Sequence, residues 1–397
     1  MRKKKNLEIE SLIHKLDLTP AMHRNAVEKF EALKNVLKSK DESIRFYPHG
    51  SFMLGTTIRP YKEQSDRDYD LDSICLFDYL ASEVSPKVVR ELLENIFKEL
   101  PEYNSKLESF ERCVTINYAN YGSVGFNIDV VPAVNTTFDV KNEMMSNGCE
   151  NKYVETAIEI PDTETGWVSS NPQAYYTWFE EINRPFMEYN KIEKRKKIYE
   201  SNIHLYSSEE EVPEYFTKSS LQMAIQLLKR ARDVYFSKLG SDKEGLKPIS
   251  AIISTIVLDT AKRGLIPYDA DVLDVISIVM SELKIYSQYQ NISEVLFRNL
   301  YSSKVTICRN GSKWEMWNPV NPKDNLVDSW NSEPARAKLF FKWIEYLERT
   351  LKEILEENNR EYFRSVGNIL GNSLVEDYYR VPNIPNIEKG PKPWRDL

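Results

Sequence analysis

The sequence predicts an α+β fold in two lobes: a mixed sheet with attendant helices, then a lobe built of helices. Three observations carry that expectation. The chain has 397 residues, room for two lobes at about 150 residues per domain. Strand-like runs cluster between residues 44 and 131, separated by turn residues. Beyond Val212-Pro213 the apolar residues recur at helical spacing. Hydrophobic residues make up 41% and aromatics 12%, enough to fill a core in each lobe.

The first forty residues read as helix. Thr19 followed by Pro20 is a cap and a first helical position, and Met22, Ala26, Phe30, Leu33 and Leu37 then form one apolar face. A short segment, Ile44 to Pro48, leads into His49-Gly50-Ser51. Tyr69 to Phe77 reads as a strand and Lys87 to Glu99 as a helix. Arg112 to Tyr118 and Val124 to Val131 read as two strands joined at Tyr121-Gly122-Ser123, the second ended by Pro132. Ser219 and Gln222 resemble a capping box for a helix running to about Phe236. Pro248 to Lys262 reads as a buried helix, Asn318 to Pro322 as an irregular loop and Pro334 to Asn358 as a long helix. The expected domains are 1–204 (with the N-terminal helix), 205–380, and a tail, 381–397, that holds four prolines.

Composition excludes several classes. No run approaches the roughly 18 apolar residues of a membrane span, and the basic start, Met1 to Lys5, is followed by no long apolar run, so a signal peptide is not expected. Cys75, Cys113, Cys149 and Cys308 are scattered without a CxxC. Neither a disulfide framework nor a zinc site is expected, and the chain suits a reducing cytoplasm. Net charge is −7. That balance favours a small substrate over a long duplex, which asks for a basic footprint.

The chemistry centres on carboxylates. Asp70 and Asp72, two apart on a strand, share a face. Asp129 lies in a second apolar strand, where a carboxylate is costly unless paired or bound to a cation. Three such groups make an oxygen-rich pocket for Mg²⁺ and substrate phosphates. An isolated Asp-x-Asp is more often a solvated strand end, and Asp68/Asp70 has the same spacing. The phase favours Asp70 and Asp72, which alternate with Tyr69 and Leu71 and lead into Ile74-Cys75-Leu76-Phe77. Upstream, Gly50 lets backbone approach a phosphate and Ser51 offers a hydroxyl.

Gly50-Ser51, Asp70-Leu71-Asp72 and Asp129 together resemble the active-site pattern of the polymerase-β nucleotidyltransferase superfamily. The fuller string from His49 through Gly55-Thr56-Thr57-Ile58-Arg59-Pro60 resembles the cGAS/DncV-like nucleotidyltransferases of bacteria (CD-NTases). So do Leu221-Gln222 to Phe236, Lys247-Pro248-Ile249-Ser250, and Trp317-Asn318-Pro319-Val320-Asn321-Pro322-Lys323-Asp324-Asn325. The 2′-5′ oligoadenylate synthases share the plan. The resemblance implies a bilobal polymerase-β-like core, a mixed sheet with long spine helices, and a helical C-terminal lobe closing the nucleotide cleft. It implies condensation of ribonucleoside triphosphates, ATP among them, into a cyclic di- or trinucleotide for anti-phage (CBASS) signalling. Asp70, Asp72 and Asp129 would hold Mg²⁺, with Mn²⁺ as the alternative. Gly50, Ser51, Lys229 and Ser250 would meet the triphosphate, and Asp324 and Asn325 would lie in a loop near the nucleotide. Some relatives end in a small residue conjugated to a partner; this sequence ends Trp394-Arg395-Asp396-Leu397, and a HORMA-type regulatory protein is the alternative control. Two other activities stay open: transfer to an RNA 3′ end or a protein hydroxyl, and nucleotide binding without turnover.

Several residues carry a plainer reading beside the functional one. Lys229 is spaced for a surface pair with Asp233, worth a few tenths of a kcal/mol. Arg59 is a phosphate ligand or a cap on its loop. Tyr175, Tyr176, Trp178 and Phe179 stack on a base or, more commonly, fill core. His49 positions its loop. Lys191 to Lys197 is a solvated helix face.

Overall fold

The computed structural model describes residues 2–380 except 60, 63–64, 67–68, 122–123, 191–216, 288–305 and 357–359. The expected boundary at 204/205, the basic run 191–197, part of the turn at 121–123 and the tail 381–397 lie outside the described residues.

Strands β1 (Arg45–Pro48), β4 (Tyr69–Leu80), β5 (Leu107–Ser109), β6 (Val114–Tyr121) and β7 (Val124–Asn135) form one sheet in the order β1-β4-β7-β6-β5. Strands β8 (Ile158–Asp162) and β9 (Gly166–Ser170) extend it from β7. Hairpin β2–β3 (Tyr61–Lys62, Ser65–Asp66) stands apart. The β4–β7 pair is parallel and the rest antiparallel, so the sheet is mixed. The β7 strand does not stop at Pro132. Its pairing with β6 ends at Val130 and that with β8 begins at Val134. Pro132 therefore sits where one flank of the strand is open and a missing N–H costs no ladder bond.

One face of this sheet is covered by helix Pro20–Lys40, whose N-cap Thr19 accepts from the Met22 N–H. Its Phe30 stacks on Phe46 at 4.7 Å, and Tyr69 meets Phe126 at 4.8 Å inside the same core. Burying each such side chain is worth about 1.5–3 kcal/mol, so the strands are fixed in register by what lies under them.

The second core gathers around helix Ser220–Ser237, the spine helix. Its capping box is formed as expected. The helix is buried all round except at Tyr235 and Ser237, because helices Ser250–Lys262, Val272–Ser287 and Arg360–Leu370 pack about it. The first forty residues are two helices, and the first, Arg2–His14, belongs here rather than with the sheet. Its Ile9, Leu12 and Ile13 join the helical core, and Lys5 Nζ donates to the Ile354 and Leu355 carbonyls near the end of helix Ala335–Glu356. The C-terminal half is not all helix. Hairpins β10–β11 (Cys308–Asn310, Lys313–Glu315) and β12–β13 (Trp317–Asn318, Asn321–Asn325) interrupt it. The second replaces the expected irregular loop: Asn318 and Asn321 side chains accept from the Val320 and Lys323 N–H groups, which closes the turn. Among the described residues no helix is long and apolar enough to cross a membrane.

Candidate active site

The parallel register of β4 and β7 sets Asp72 opposite Asp129 and Asp70 opposite Asn127. Period two puts Asp70 and Asp72 on the same face as Asp129. Asp70 is exposed and Asp72 and Asp129 are half-buried. Ser73 Oγ donates to the Asp129 carbonyl at 3.0 Å and locks that register. The Thr115 hydroxyl on β6 donates to Asp129 Oδ1. Burial raises the Asp129 carboxyl above its ordinary range, and the neighbouring Asp72 charge adds to the rise, against the Thr115 hydrogen bond.

The Gly50-Ser51 turn is pressed onto this face. The His49 N–H donates to the Asp72 carbonyl at 2.8 Å, and Gly50 has φ +64°. A Cβ on Gly50 would overlap the Asp72 carboxylate, so glycine is needed both for the backbone angle and for the close approach. The Ser51 and Thr57 hydroxyls lie 3.2 Å apart. The His49 ring is buried and its pKa is lowered by that burial.

A cleft of about 680 Å³ opens beside these residues. Gly50 and Ser51 form its floor on the sheet side. Lys229, Ser250, Tyr175, Tyr176 and Asp324 line it from the other side. Lys229 is buried, and its Nζ donates to the Thr56 carbonyl at 2.9 Å. Burial first, then the Arg232 charge, pushes its pKa down to about 7. The surface-pair reading of Lys229 fails, since Asp233 is taken by Arg232 and Lys247. Ser250 opens helix Ser250–Lys262 and accepts from Arg232 Nη1 at 3.1 Å. Asp324 accepts from Asn318 Nδ2 at 2.9 Å, and burial raises its pKa.

The structure separates the remaining candidates. Asp324 and Asn325 both lie on β13 rather than in a loop; Asp324 lines the cleft, and Asn325 is not on its wall. Its side chain bonds the Met316 and Val327 N–H groups and the Trp314 carbonyl. Of the aromatic cluster, Tyr175 and Tyr176 face the cleft, whereas Trp178 and Phe179 are core. Arg59 donates to the Lys15 carbonyl at 2.6 Å and is not on the cleft wall. Arg112, Gln173 and Ser254 line the cleft but were not singled out as site residues in the sequence. Their neighbours give no pattern, because each reaches the cleft from a different element.

A divalent cation fits the sheet side. The donors are all oxygens, and the Asp72 charge opposes ionisation of Asp129, a cost that a cation would relieve. Among the described residues no three acidic, imidazole or thiol groups converge as they stand. An ion there would take one or two carboxylates and complete its shell with water and substrate oxygens, as Mg²⁺ does.

Asp70, Asp72 and Asp129 are not themselves on the cleft wall; Asp72 lies against Gly50, which is. A mixed sheet that carries these carboxylates and a Gly-Ser turn, beside a cleft closed by a helical lobe, is the arrangement of a polymerase-β-like nucleotidyltransferase. Comparison with known proteins narrows the class. Residues 4–183 match the family model of the Second Messenger Oligonucleotide or Dinucleotide Synthetase domain. The sequence is 27% identical over 338 residues, 84% of this chain and 74% of the relative, to a c-di-GMP synthase of Roseivirga ehrenbergii. It is 24% identical over 260 residues to cyclic dinucleotide synthase CdnG of Bradyrhizobium diazoefficiens, 63% of this chain and 57% of that protein's length. The solved structure of Bradyrhizobium diazoefficiens CdnG with GTP superposes with TM-score 0.66 at 19% identity, over 95% of this chain and 98% of that one. The chain thus resembles the CD-NTases, in sequence over most of its length and in fold.

Proposed function

We propose that this nucleotidyltransferase condenses two ribonucleoside triphosphates into a cyclic dinucleotide, with GTP as a substrate. The observation that carries the reading is the pairing of Asp72 with Asp129 against Gly50, where a Cβ would overlap the Asp72 carboxylate, beside a cleft lined by Gly50, Ser51 and Lys229. The relatives' names, c-di-GMP synthase and cyclic dinucleotide synthase, support a two-membered ring and a guanine base; use of ATP and a three-membered ring are what the product analysis separates from it.

In each of two rounds a ribose hydroxyl attacks an α-phosphorus. One phosphodiester bond forms, the α–β bond breaks, and pyrophosphate leaves. The first round gives a linear dinucleotide and the second closes it. Bound Mg²⁺, or Mn²⁺ in its place, supplies Lewis acidity to the hydroxyl and charge neutralisation to the phosphates. One or two of Asp70, Asp72 and Asp129 would hold it. The hydroxyl proton would pass to a nearby base, for which Asp129, on the same face as Asp72, is the candidate. Gly50 and Ser51 orient the triphosphate. Lys229, and Ser250 at a helix N-terminus, meet its charge. Asp324, Tyr175 and Tyr176 border the space left for a base. The product would act as a messenger in cytoplasmic anti-phage (CBASS) signalling. A HORMA-type protein is the first regulator to try, because CdnC of E. coli MS115-1, solved with a HORMA protein, shares the fold with TM-score 0.55 at 13% identity.

The test incubates the purified protein with four labelled ribonucleoside triphosphates and Mg²⁺ or Mn²⁺, followed by phosphatase. A phosphatase-resistant small product containing guanine, absent with Asp70→Ala, is expected. Label that appears only on RNA or protein would replace this reading with transfer to a macromolecular acceptor. Binding without pyrophosphate release would make the chain a nucleotide-binding regulator.

A further inference from the structure

One face of the spine helix does something that packing alone does not require. Gln222, Gln226, Lys229 and Arg230 fall at i, i+4, i+7 and i+8, one helical face. Each sends a side-chain N–H across to a backbone carbonyl of the segment that follows Ser51. Gln222 Nε2 donates to the Leu54 carbonyl at 2.8 Å. Lys229 donates to that of Thr56 at 2.9 Å, Gln226 Nε2 to that of Thr57 at 2.8 Å, and Arg230 Nη1 to that of Arg59 at 3.1 Å. The fit is close: a Cβ on Gly55, which has φ +63°, would stand 2.7 Å from Gln222 Nε2.

The segment so held is tied back to the Gly-Ser turn. The Thr56 N–H donates to the Ser51 carbonyl at 2.9 Å, and the Thr57 and Ser51 hydroxyls are 3.2 Å apart. The Gln226 amide is itself oriented, since its Nε2 also donates to Asp17 Oδ1 at 2.7 Å. Asp17 is in turn fixed by buried Lys218 and by His14. Lys229 cannot be a permanent part of this support if its ammonium is to turn to a triphosphate. The two glutamines are neutral and buried, so a phosphate gives them no cause to leave.

We infer that Gln226, oriented by Asp17, and Gln222 are positioning residues that set the Ser51 turn for the triphosphate and hold it when Lys229 changes partner. The inference rests on the proposed function, because it needs the Gly50-Ser51 turn to be the triphosphate site.

Gln226→Met keeps length and removes the amide. The test measures KM and kcat for GTP in Mg²⁺, the calorimetric Kd for a non-hydrolysable GTP analogue, and the melting midpoint. Expected is a rise of about tenfold in KM and Kd, the scale of one well-placed hydrogen bond, with kcat within about threefold. A purely structural loss would lower the folded fraction, and so the apparent kcat, and leave KM where it was. A folded Gln226→Met protein with KM and Kd within about twofold of the parent overturns the inference. Should that variant not fold, Thr57→Val decides. It cuts the link from the held segment to the Ser51 hydroxyl without emptying the core, and an unchanged KM and Kd there overturns the inference equally. A parent protein that binds no triphosphate at all overturns the proposed function and this inference with it. A parent that turns over normally beside unaffected variants overturns this inference alone.

Discussion

The two walls of the cleft are built by different means. The sheet wall is a matter of backbone register: Asp70 and Asp72 share a face because they are two apart, and Asp129 joins them because β7 lies parallel to β4. The helical wall is a matter of reach. Gln222 and Lys229 meet backbone 168 and 173 residues away along the chain. Asp70, Asp72 and Asp129 gather on one face of the sheet, and the spine helix brings buried Lys229 to the cleft. On the proposed function, the difference is a division of labour, in which the sheet would perform the bond exchange and the spine helix would set and bind the triphosphate. Substitutions on the two walls should then separate kcat from KM.

The largest effect is expected from the sheet. Asp72→Asn keeps the shape and removes a charge, and kcat for pyrophosphate release should fall by about 10³, some 4 kcal/mol of transition-state stabilisation. GTP affinity should change far less. A rate within tenfold of the parent would end the proposed division. Next comes the hinge between the walls. Gly50→Ala meets both a left-handed backbone, costing about 1–2 kcal/mol, and the Asp72 carboxylate. A displacement of that kind should cost on the order of 100-fold in rate. Gly148→Ala is the contrast: φ is +90° but nothing lies within 4 Å of the added Cβ. It should lower the melting temperature and leave the rate alone.

The same contrast explains what could be read in the sequence. Helix Pro20–Lys40, the capping box at Ser219 and strand β4 were legible because their signals are local: a cap, a 3.6-residue period, an alternation. The carboxylates were legible for that reason too. The β8–β9 extension and the membership of helix Arg2–His14 in the helical core were not, because partners distant in the chain decide them. Pro132 misled, since a proline's effect depends on which flank of the strand is occupied. On the helical wall, Lys229 and Ser250 were reached only through a family resemblance. That resemblance also brought in Asn325, whose side chain bonds the Met316 N–H and the Trp314 carbonyl away from the cleft wall.

Lys229 sharpens the comparison through pH. Its pKa is pushed down from 10.5 to about 7, by burial before any other cause, with Arg232 adding to the push and Asp233 and Asp72 opposing it. Between pH 7 and 10.5 the unfolded chain holds a proton on this amine that the folded chain releases. Stability from this group therefore rises with pH across that window and the full penalty stands below pH 7. The slope is at most about 1.4 kcal/mol per pH unit. Chemical denaturation at pH 7, 8 and 9 should show the parent gaining on Lys229→Met as pH rises. A triphosphate, by restoring the charge, should take up a proton at pH 8 in calorimetry in buffers of different ionisation enthalpy, and Lys229→Met should abolish that uptake. Parallel stability curves would place the ammonium in a better-solvated site than its burial implies.

The smallest effect is expected where a cation looks like a phosphate ligand and is not one. Arg59 follows the Gly-Ser turn closely in sequence, yet Nη2 donates to the Lys15 carbonyl just beyond helix Arg2–His14. A cation there answers the negative end of the helix, and the Arg59 carbonyl accepts from Arg230 of the spine helix. Arg59→Met should therefore lower the melting temperature by a few degrees, as loss of one charge-assisted hydrogen bond does in a chain this size. KM for GTP should stay within about twofold. A tenfold rise in KM at an unchanged melting temperature would move Arg59 into the triphosphate site.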